Sequence, residues 1–262
     1  MNNTSMYDEF SQHYDQFVSW EERLPAETPF LLSELNEIPA KPGESLSVLD
    51  VACGTGHHAI ALAKAGFRCT GTDFSQKMVA LARENAQKEG LNITFQQAGF
   101  GELAKTFEED RFDGLICLGN SLPHLLDEVS LANALVDFAA VLKPGGKIIL
   151  QNRNYDLVLA ERARWMPPQT FHQEDETWIF ARFYDFDPDE RLTFNIQILH
   201  NKGQGAFDQA VISTRLWPMK REVLEDFIKE AGFSDLAFFG NLKGEAFDPS
   251  SSDNLIITAK TR

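Results

Sequence analysis

Between residues 46 and 152 the chain alternates short apolar runs with longer segments of mixed polarity. The short runs "LSVLDV", "FRCTGTD", "NITFQQ", "FDGLICLG" and "GKIILQN" predict five β-strands. The segments between them predict helices at His57–Ala65, Ser75–Glu89 and Glu128–Leu142. Ser75 directly follows Asp73 and Phe74 and is placed to cap the second helix, because a hydroxyl there accepts from a first-turn N–H. The "KPGG" at Lys143–Gly146 stops the third helix and turns the chain into the fifth strand. Strands and helices alternating at this spacing predict a parallel sheet with crossover helices.

The pattern changes after Asn152. "TWIFARFYDF", "RLTFNIQILHN" and "FDQAVISTRLW" read as three strands joined by "DPDE" and "KGQG" turns. No helix separates them, so they are expected to pair antiparallel. A helix at Arg221–Ala231 and a last strand pair, "SDLAFFGN" and "DNLIITAK", complete the chain. The expected fold is α/β, with a seven-stranded, mostly parallel sheet and an inserted antiparallel sheet. It divides into an N-terminal helical cap (1–45), a core (46–152 and 218–262) and the insertion (153–217). An insertion at that point lies over the carboxyl ends of the core strands, where open α/β folds bind ligands. The competing reading is an insertion remote from any site.

Composition narrows the partners. At 262 residues and 43% apolar content, the chain suffices for one large domain or one domain with an insertion. No window approaches eighteen consecutive apolar residues, so no membrane span is expected. The start, "MNNTSMYDEF", lacks a basic stretch followed by an apolar run, so no signal peptide is expected. A net charge of −15 disfavours nucleic acid, whose affinity rests on Lys and Arg neutralising phosphates. Cys53, Cys69 and Cys117 show no metal-ligand spacing and read as reduced thiols of a cytoplasmic protein. The expected partner is therefore a small molecule, with no metal; nothing sets an oligomeric state.

Chemistry concentrates in "VLDVACGTGHHAI". A dinucleotide fingerprint places glycines at a strand end so that backbone can approach a pyrophosphate. Here Gly54 and Gly56 satisfy it only in part, and Asp50 at the end of the first strand would repel a diphosphate. Asp50 suits a cationic group instead, such as the α-ammonium of S-adenosylmethionine (SAM), which carries no phosphate. Gly54 and Gly56 then let the backbone pass close beneath the ligand. Asp73 ends the second strand about twenty residues on, where an acid accepts hydrogen bonds from ribose hydroxyls. That role is common to NAD and SAM.

Together, "LDVACGTG" and "GTDFSQKM" resemble the first two motifs of Rossmann-like SAM-dependent methyltransferases. "SWEER", "ICLGNSLPHL" (Ile116–Leu125) and "NRNYD" (Asn152–Asp156) narrow this to a resemblance to the glycine N-methyltransferase and bacterial glycine/sarcosine N-methyltransferase family, from about Tyr14 to Leu157. The resemblance implies a Rossmann-like methyltransferase fold, SAM as cofactor, and the inserted sheet as a substrate lid. It implies that Ala52 touches the methionyl part of SAM, Asp73 its ribose and Arg23 its carboxylate, and that Leu118 lines the pocket. Tyr14 stands where the family has an aromatic residue. Gly99 and Phe100 fall where the family places Asn or Asp and then Trp at the adenine; Phe100 keeps the aromatic contact and Gly99 lacks the side-chain acceptor. Asn120 and Arg153 match the glycine-binding positions. A family tyrosine from the inserted region has Trp217 as its nearest counterpart.

The chemistry of these residues agrees. A guanidinium fork suits a small carboxylate, and the Asn120 amide oxygen can accept from a substrate amine. Each residue also has a plain alternative. Arg153 pairs with Asp156 or another surface carboxylate; Asn120 caps a turn; His124 borders the cofactor or is simply packed; Met78 covers the adenine or fills core. His57 and His58 lack the spacing of a metal pair and read as structural. The expected function is methyl transfer from SAM to the amine of a small amino acid such as glycine or sarcosine. No Asn/Asp-Pro-Pro-Tyr tetrad follows the fourth strand, which again disfavours DNA. The alternatives are a methyltransferase of the same fold acting on another metabolite, a SAM-binding protein without turnover, and an NAD oxidoreductase.

Overall fold

The computed structural model describes residues 10–108, 111–203 and 205–262; the start of the expected N-terminal cap, residues 1–9, lies outside them. After a 3-10 turn at Ser11–His13 come α1 (Tyr14–Phe17) and the long α2 (Trp20–Asn36). The core then runs β1 (Ser47–Val51), α3 (His57–Lys64), β2 (Arg68–Asp73), α4 (Gln76–Lys88), β3 (Thr94–Gln97) and α5 (Leu103–Phe107). It continues through β4 (Phe112–Cys117), α6 (Glu128–Ala140), β5 (Leu142–Arg153) and α7 (Tyr155–Glu161). Four strands follow, β6 (Trp165–Gln173), β7 (Glu176–Phe186), β8 (Leu192–Asn201) and β9 (Phe207–Leu216). The chain closes with α8 (Arg221–Glu230), β10 (Phe233–Phe239) and β11 (Asn254–Thr261).

The strands form two sheets. The larger has seven strands in the order β10-β11-β5-β4-β1-β2-β3. Its neighbours run parallel except around β11, which is antiparallel to both β5 and β10. In β1 and β4 nearly every residue is buried, as expected of strands covered on both faces. One cover is α2, whose Leu31 and Leu35 join Val48, Ile116 and Ile149. The other is formed by α6 and α8, whose Leu131, Phe138, Leu224 and Ile228 meet Leu115, Ile148 and Ile257. Full burial of such a side chain contributes roughly 1.5–3 kcal/mol. The packing of α2 is close enough that a Cβ on Gly114 would lie 2.6 Å from the Leu35 side chain.

The smaller sheet, β6-β7-β8-β9, is antiparallel throughout. Its inner face holds Trp178, Phe180, Ile196 and Ile198 around Phe10 of the N-terminal segment. Tyr184, Leu192 and Leu216 pack on Tyr155 of α7. The sheet is thus fastened between the N-terminal segment and α7, across the carboxyl ends of the core strands.

The expected parallel core and the antiparallel pairing of the three later strands are present, with three local differences. β6 was not expected, because "WMPPQTFHQ" carries Pro167 and Pro168; the strand accommodates them at the sheet edge, where its register shifts between Met166 and Gln169. Lys143–Gly146 is not a turn before β5. The helix ends at Ala140, and "KPGG" bulges out of β5 between its pairings Phe112–Leu142 and Gly114–Lys147. The short α5 and α7 lacked a long enough apolar period to be foreseen.

One polar contact joins α2 to the sheet. Lys147, with its side chain 4% exposed, lies 2.5 Å from Glu34 and 2.9 Å from Glu37. It also donates to the Glu34 carbonyl at 3.1 Å. Removing the ammonium leaves the largely buried Glu34 carboxylate without its counter-charge. Lys147→Ala is expected to lower the unfolding free energy by about 3 kcal/mol. The check is a urea titration, with a reduced midpoint at unchanged m value.

Candidate active site

A cavity of about 540 Å³ opens where the core strands end, between the small sheet and the N-terminal segment. The sequence brings residues there by a simple rule: strand β1 ends in the glycine turn, β2 in Asp73, β4 in Gly119 and Asn120, and β5 in Arg153. Of the expected site residues, Tyr14, Arg23, Ala52, Gly54, Asp73, Met78, Gly99, Phe100, Asn120, His124 and Arg153 line this cavity. Asp50, Gly56 and Leu118 do not.

Asp73 organises the floor. Its Oδ2 accepts from the Gly54 N–H and its Oδ1 from the Ser75 N–H, both at 2.9 Å. Ser75 in turn caps α4 as expected, its hydroxyl accepting from the Met78 N–H at 3.3 Å. In the turn, Ala52 (φ 56°) and Gly54 (φ 55°) are left-handed. A Cβ on Gly54 would stand 3.3 Å from the Tyr14 ring, so a side chain there would fill the gap between turn and ring. Burial pushes the Tyr14 phenol up to about 12, so the ring faces the cavity as a neutral donor.

The three residues outside the cavity have other work. Gly56 (φ 81°) opens α3, and a Cβ on it would lie 2.9 Å from Ala82 and Phe95; its bareness serves helix packing rather than ligand approach. Leu118 is in the core beside Leu31 and Ile149. Asp50 is 3% exposed beneath the floor, where burial foremost pushes its carboxyl up to about 8, against the lowering effect of a hydrogen bond from Ala59. It is mostly protonated at neutral pH, so the expectation that it faces a cationic ligand is corrected. The acids that line the cavity are Asp73 and Glu27.

Glu27 and Arg23 form one wall. The Arg23 Nε donates to Glu27 Oε1 at 2.8 Å, and its Nη2 to Gln151 Oε1 at 3.4 Å. Glu27 also lies 2.7 Å from His58. Burial pushes Glu27 up, but the His58 hydrogen bond and the Arg23 charge together hold it below the usual glutamate value. Beside this pair His57 stacks on Trp20 with ring centres 4.5 Å apart. Asp15 accepts from the Thr55 hydroxyl at 2.6 Å. The two histidines thus dock the N-terminal segment onto α3, the structural role expected of them.

Opposite lie Asn120 and Arg153. Asn120 is left-handed (φ 66°), and its Oδ1 accepts from the Arg153 backbone N–H at 2.9 Å. Its Nδ2 donates to the Tyr155 hydroxyl at 2.9 Å. A backbone N–H only donates, so this contact fixes which amide atom is oxygen. The oxygen keeps a second lone pair for another donor. Arg153 does not pair with Asp156, whose carboxylate accepts from the Arg221 N–H at 3.0 Å. The Arg153 Nε is buried and has no hydrogen-bond partner among the described residues. Its side chain contacts Tyr184, which burial raises while the Arg153 charge and hydrogen bonds from Tyr155 and Arg153 pull it back.

At the far end, Met78 both lines the cavity and is 1% exposed, so it covers the ligand space and fills core at once. The Gly99 N–H donates to Glu102 Oε2 at 2.7 Å, which puts a carboxylate beside the position that lacks one. Burial lowers His124 to about 4, leaving a neutral imidazole at the wall. Trp217 is not a lining residue. Its N–H donates to the Pro123 carbonyl at 2.7 Å, and the Arg191 guanidinium covers its ring. Of the tyrosines in the inserted region, Tyr184 lines the cavity.

Sequence reasoning missed Glu27, Gln151, Arg182 and Tyr184, all of which line the cavity. A signal existed for two of them. Trp178, Phe180, Arg182 and Tyr184 share one face of β7 by the two-residue period of a strand, and three of the four are buried. A lone arginine in such a series marks a polar opening in an apolar wall.

Residues 48–146 match the family described as a methyltransferase domain. Over 251 residues the chain is 30% identical to a glycine/sarcosine N-methyltransferase of Aphanothece halophytica, covering 96% of this chain and 88% of the relative. A glycine/sarcosine N-methyltransferase of Halorhodospira halochloris is 28% identical over 236 residues, 90% of this chain and 81% of that one. Among solved structures, the CcbJ methyltransferase of Streptomyces caelestis superposes with a TM-score of 0.77 at 21% identity, over 100% of this chain and 99% of its own.

The state of Asp50 has a measurable consequence. In the unfolded chain an aspartate loses its proton near pH 3.9. In the folded chain Asp50 keeps it to about 8. Between those values the folded protein holds the extra proton, so stability falls as pH rises, by up to about 1.4 kcal/mol per pH unit. Asp50→Asn is expected to flatten the decline in unfolding free energy between pH 5 and 8, measured by denaturant titration. An unchanged slope would place the titration elsewhere.

Proposed function

The chain belongs to the glycine/sarcosine N-methyltransferase family of SAM-dependent methyltransferases, and from that premise we propose that it methylates the amino nitrogen of a small amino acid. The residues present fit SAM. Asp73 lines the cavity at the end of β2, where a carboxylate suits ribose hydroxyls. Arg23 offers a guanidinium for the α-carboxylate, and Phe74, Met78 and Phe100 give an apolar wall for the adenine. Asp73 and Glu27 at the same surface disfavour a diphosphate. When bound, SAM supplies a methyl group made electrophilic by its sulfonium.

The acceptor end does the rest by position. Arg153 grips the carboxylate of the acceptor with its guanidinium, whose Nε has no partner among the described residues. The Asn120 oxygen, held by the Arg153 N–H, uses its second lone pair to receive an amine hydrogen and aim the nitrogen. With SAM bound, the amine held there would take the methyl group as the C–S bond breaks, leaving a neutral thioether, and would release its surplus proton to water. His124 at about 4 and Tyr14 at about 12 are both far from neutrality, so neither suits a general base, and the amine arrives deprotonated. Holding the reactants aligned and dry can contribute about 7–11 kcal/mol. In this reading residues 153–217 are the substrate lid, residues 1–45 the cap over the cofactor, and the protein works in the cytoplasm on small molecules.

The observation that carries the proposal is the Arg153 guanidinium on the cavity wall beside Asn120, its buried Nε without a hydrogen-bond partner among the described residues. With SAM and a panel of glycine, sarcosine, other amino acids and small phenols, S-adenosylhomocysteine is expected to form with amino acids. Activity confined to phenols would overturn the reading. Arg153→Ala is expected to lower kcat/KM for the best acceptor by about 10- to 150-fold, the loss of one charged hydrogen bond of about 1.5–3 kcal/mol. Unchanged kcat/KM removes Arg153 from the site.

A further inference from the structure

One amino-acid carboxylate needs one arginine, and this cavity presents two. Arg182, on β7, lines it together with Arg153. Its Nη2 donates to the Pro167 carbonyl at 3.2 Å, and its guanidinium lies 5.4 Å from the centre of the Phe17 ring. The Nε atoms of both arginines are buried, and neither has a hydrogen-bond partner among the described residues. The third arginine, Arg23, is already matched by Glu27 at 2.8 Å.

The electrostatics of Arg182 are unfavourable as they stand. Burial foremost, and then the charge of Arg153, hold it below the usual arginine value; only the Tyr184 phenol pulls the other way, and no carboxylate contributes. Two like charges sharing one partly desolvated cavity repel each other unless anions meet them. A guanidinium engaged through its Nε edge binds a two-oxygen acid with parallel hydrogen bonds, and in each of these arginines the Nε has no partner among the described residues. A monocarboxylate offsets one of the two charges and leaves the other buried and unmatched. In a chain of net charge −15, two unpaired cations in one cavity are a local reversal of sign that a ligand has to answer.

We propose that the acceptor is an amino acid with two acidic groups, one held by Arg153 and the second by Arg182. This rests on the amine-methylation reading above and narrows it from small amino acids in general to diacidic ones. Arg182 is then the specificity-determining residue, standing on β7 of the small sheet while Arg153 ends β5 of the large one.

The test compares kcat/KM for glycine and sarcosine with that for aspartate, glutamate and iminodiacetate, in the wild type, Arg182→Gln and Arg182→Lys. SAM affinity, measured by calorimetry, shows that each variant is folded. In the wild type at least one diacid is expected to exceed glycine by tenfold or more, about the scale of one charged hydrogen bond. Arg182→Gln is expected to collapse the ratio of diacid to monoacid by at least that factor, mainly through KM. Arg182→Lys, which keeps the charge without the fork, is expected to restore part of it. The wild-type comparison needs no variant: if glycine or sarcosine surpasses every diacid, the proposal fails while the amine reading stands. An equal loss for monoacids and diacids in Arg182→Gln also overturns it, because both arginines then share one carboxylate. If no amino acid is methylated, the underlying reading fails instead.

Discussion

The site depends on the carboxylate of Asp73. Its bonds to the N–H groups of Gly54 and Ser75 tie the end of β2 to the turn leaving β1 and to the start of α4. An anion is well placed where backbone N–H groups converge, since hydrogen bonds to a charged acceptor are the stronger kind. The turn is held open by its left-handed residues, and the cavity exists because no side chain projects from Gly54 toward Tyr14. Removing this one acid would leave two buried donors unmet and the floor without a fixed shape.

The core was legible because its grammar is local. Short apolar runs, a serine after the second strand and glycines at the first turn each have one physical reading, and the structure realises them. What escaped notice came from longer range. Two prolines hid β6, since only the edge position and a bulge make them tolerable, and sheet order is not written in nine residues. Asp50 misled because a strand end was taken as a cavity wall; the pleat sends its side chain under the floor. Trp217 was nearest in sequence layout to a missing tyrosine, whereas register on β7 brings Tyr184 there. Glu27 and Gln151 had no motif at all and reach the site through the docking of α2 and the last turn of β5.

Charge is segregated inside one cavity. Acids line the end next to the glycine turn and arginines the end next to the small sheet, with the Arg23–Glu27 pair between the N-terminal segment and β5. Strand ends of the large sheet supply Asp73 and Arg153, α2 supplies Arg23 and Glu27, and the small sheet supplies Arg182 and Tyr184.

The antiparallel β11 has a consequence for how the molecule is made. Its seven register pairs complete the side of β5 away from β4, yet the whole small sheet, α8 and β10 are synthesised between those two neighbours. Until β11 emerges from the ribosome, the run Ile148, Ile149 and Leu150 has an unpaired flank, the kind of edge that recruits foreign strands. Closing a loop that long is also slow compared with local pairing. A nascent chain therefore passes through a stage in which the apolar run of β5 is paired on one flank only.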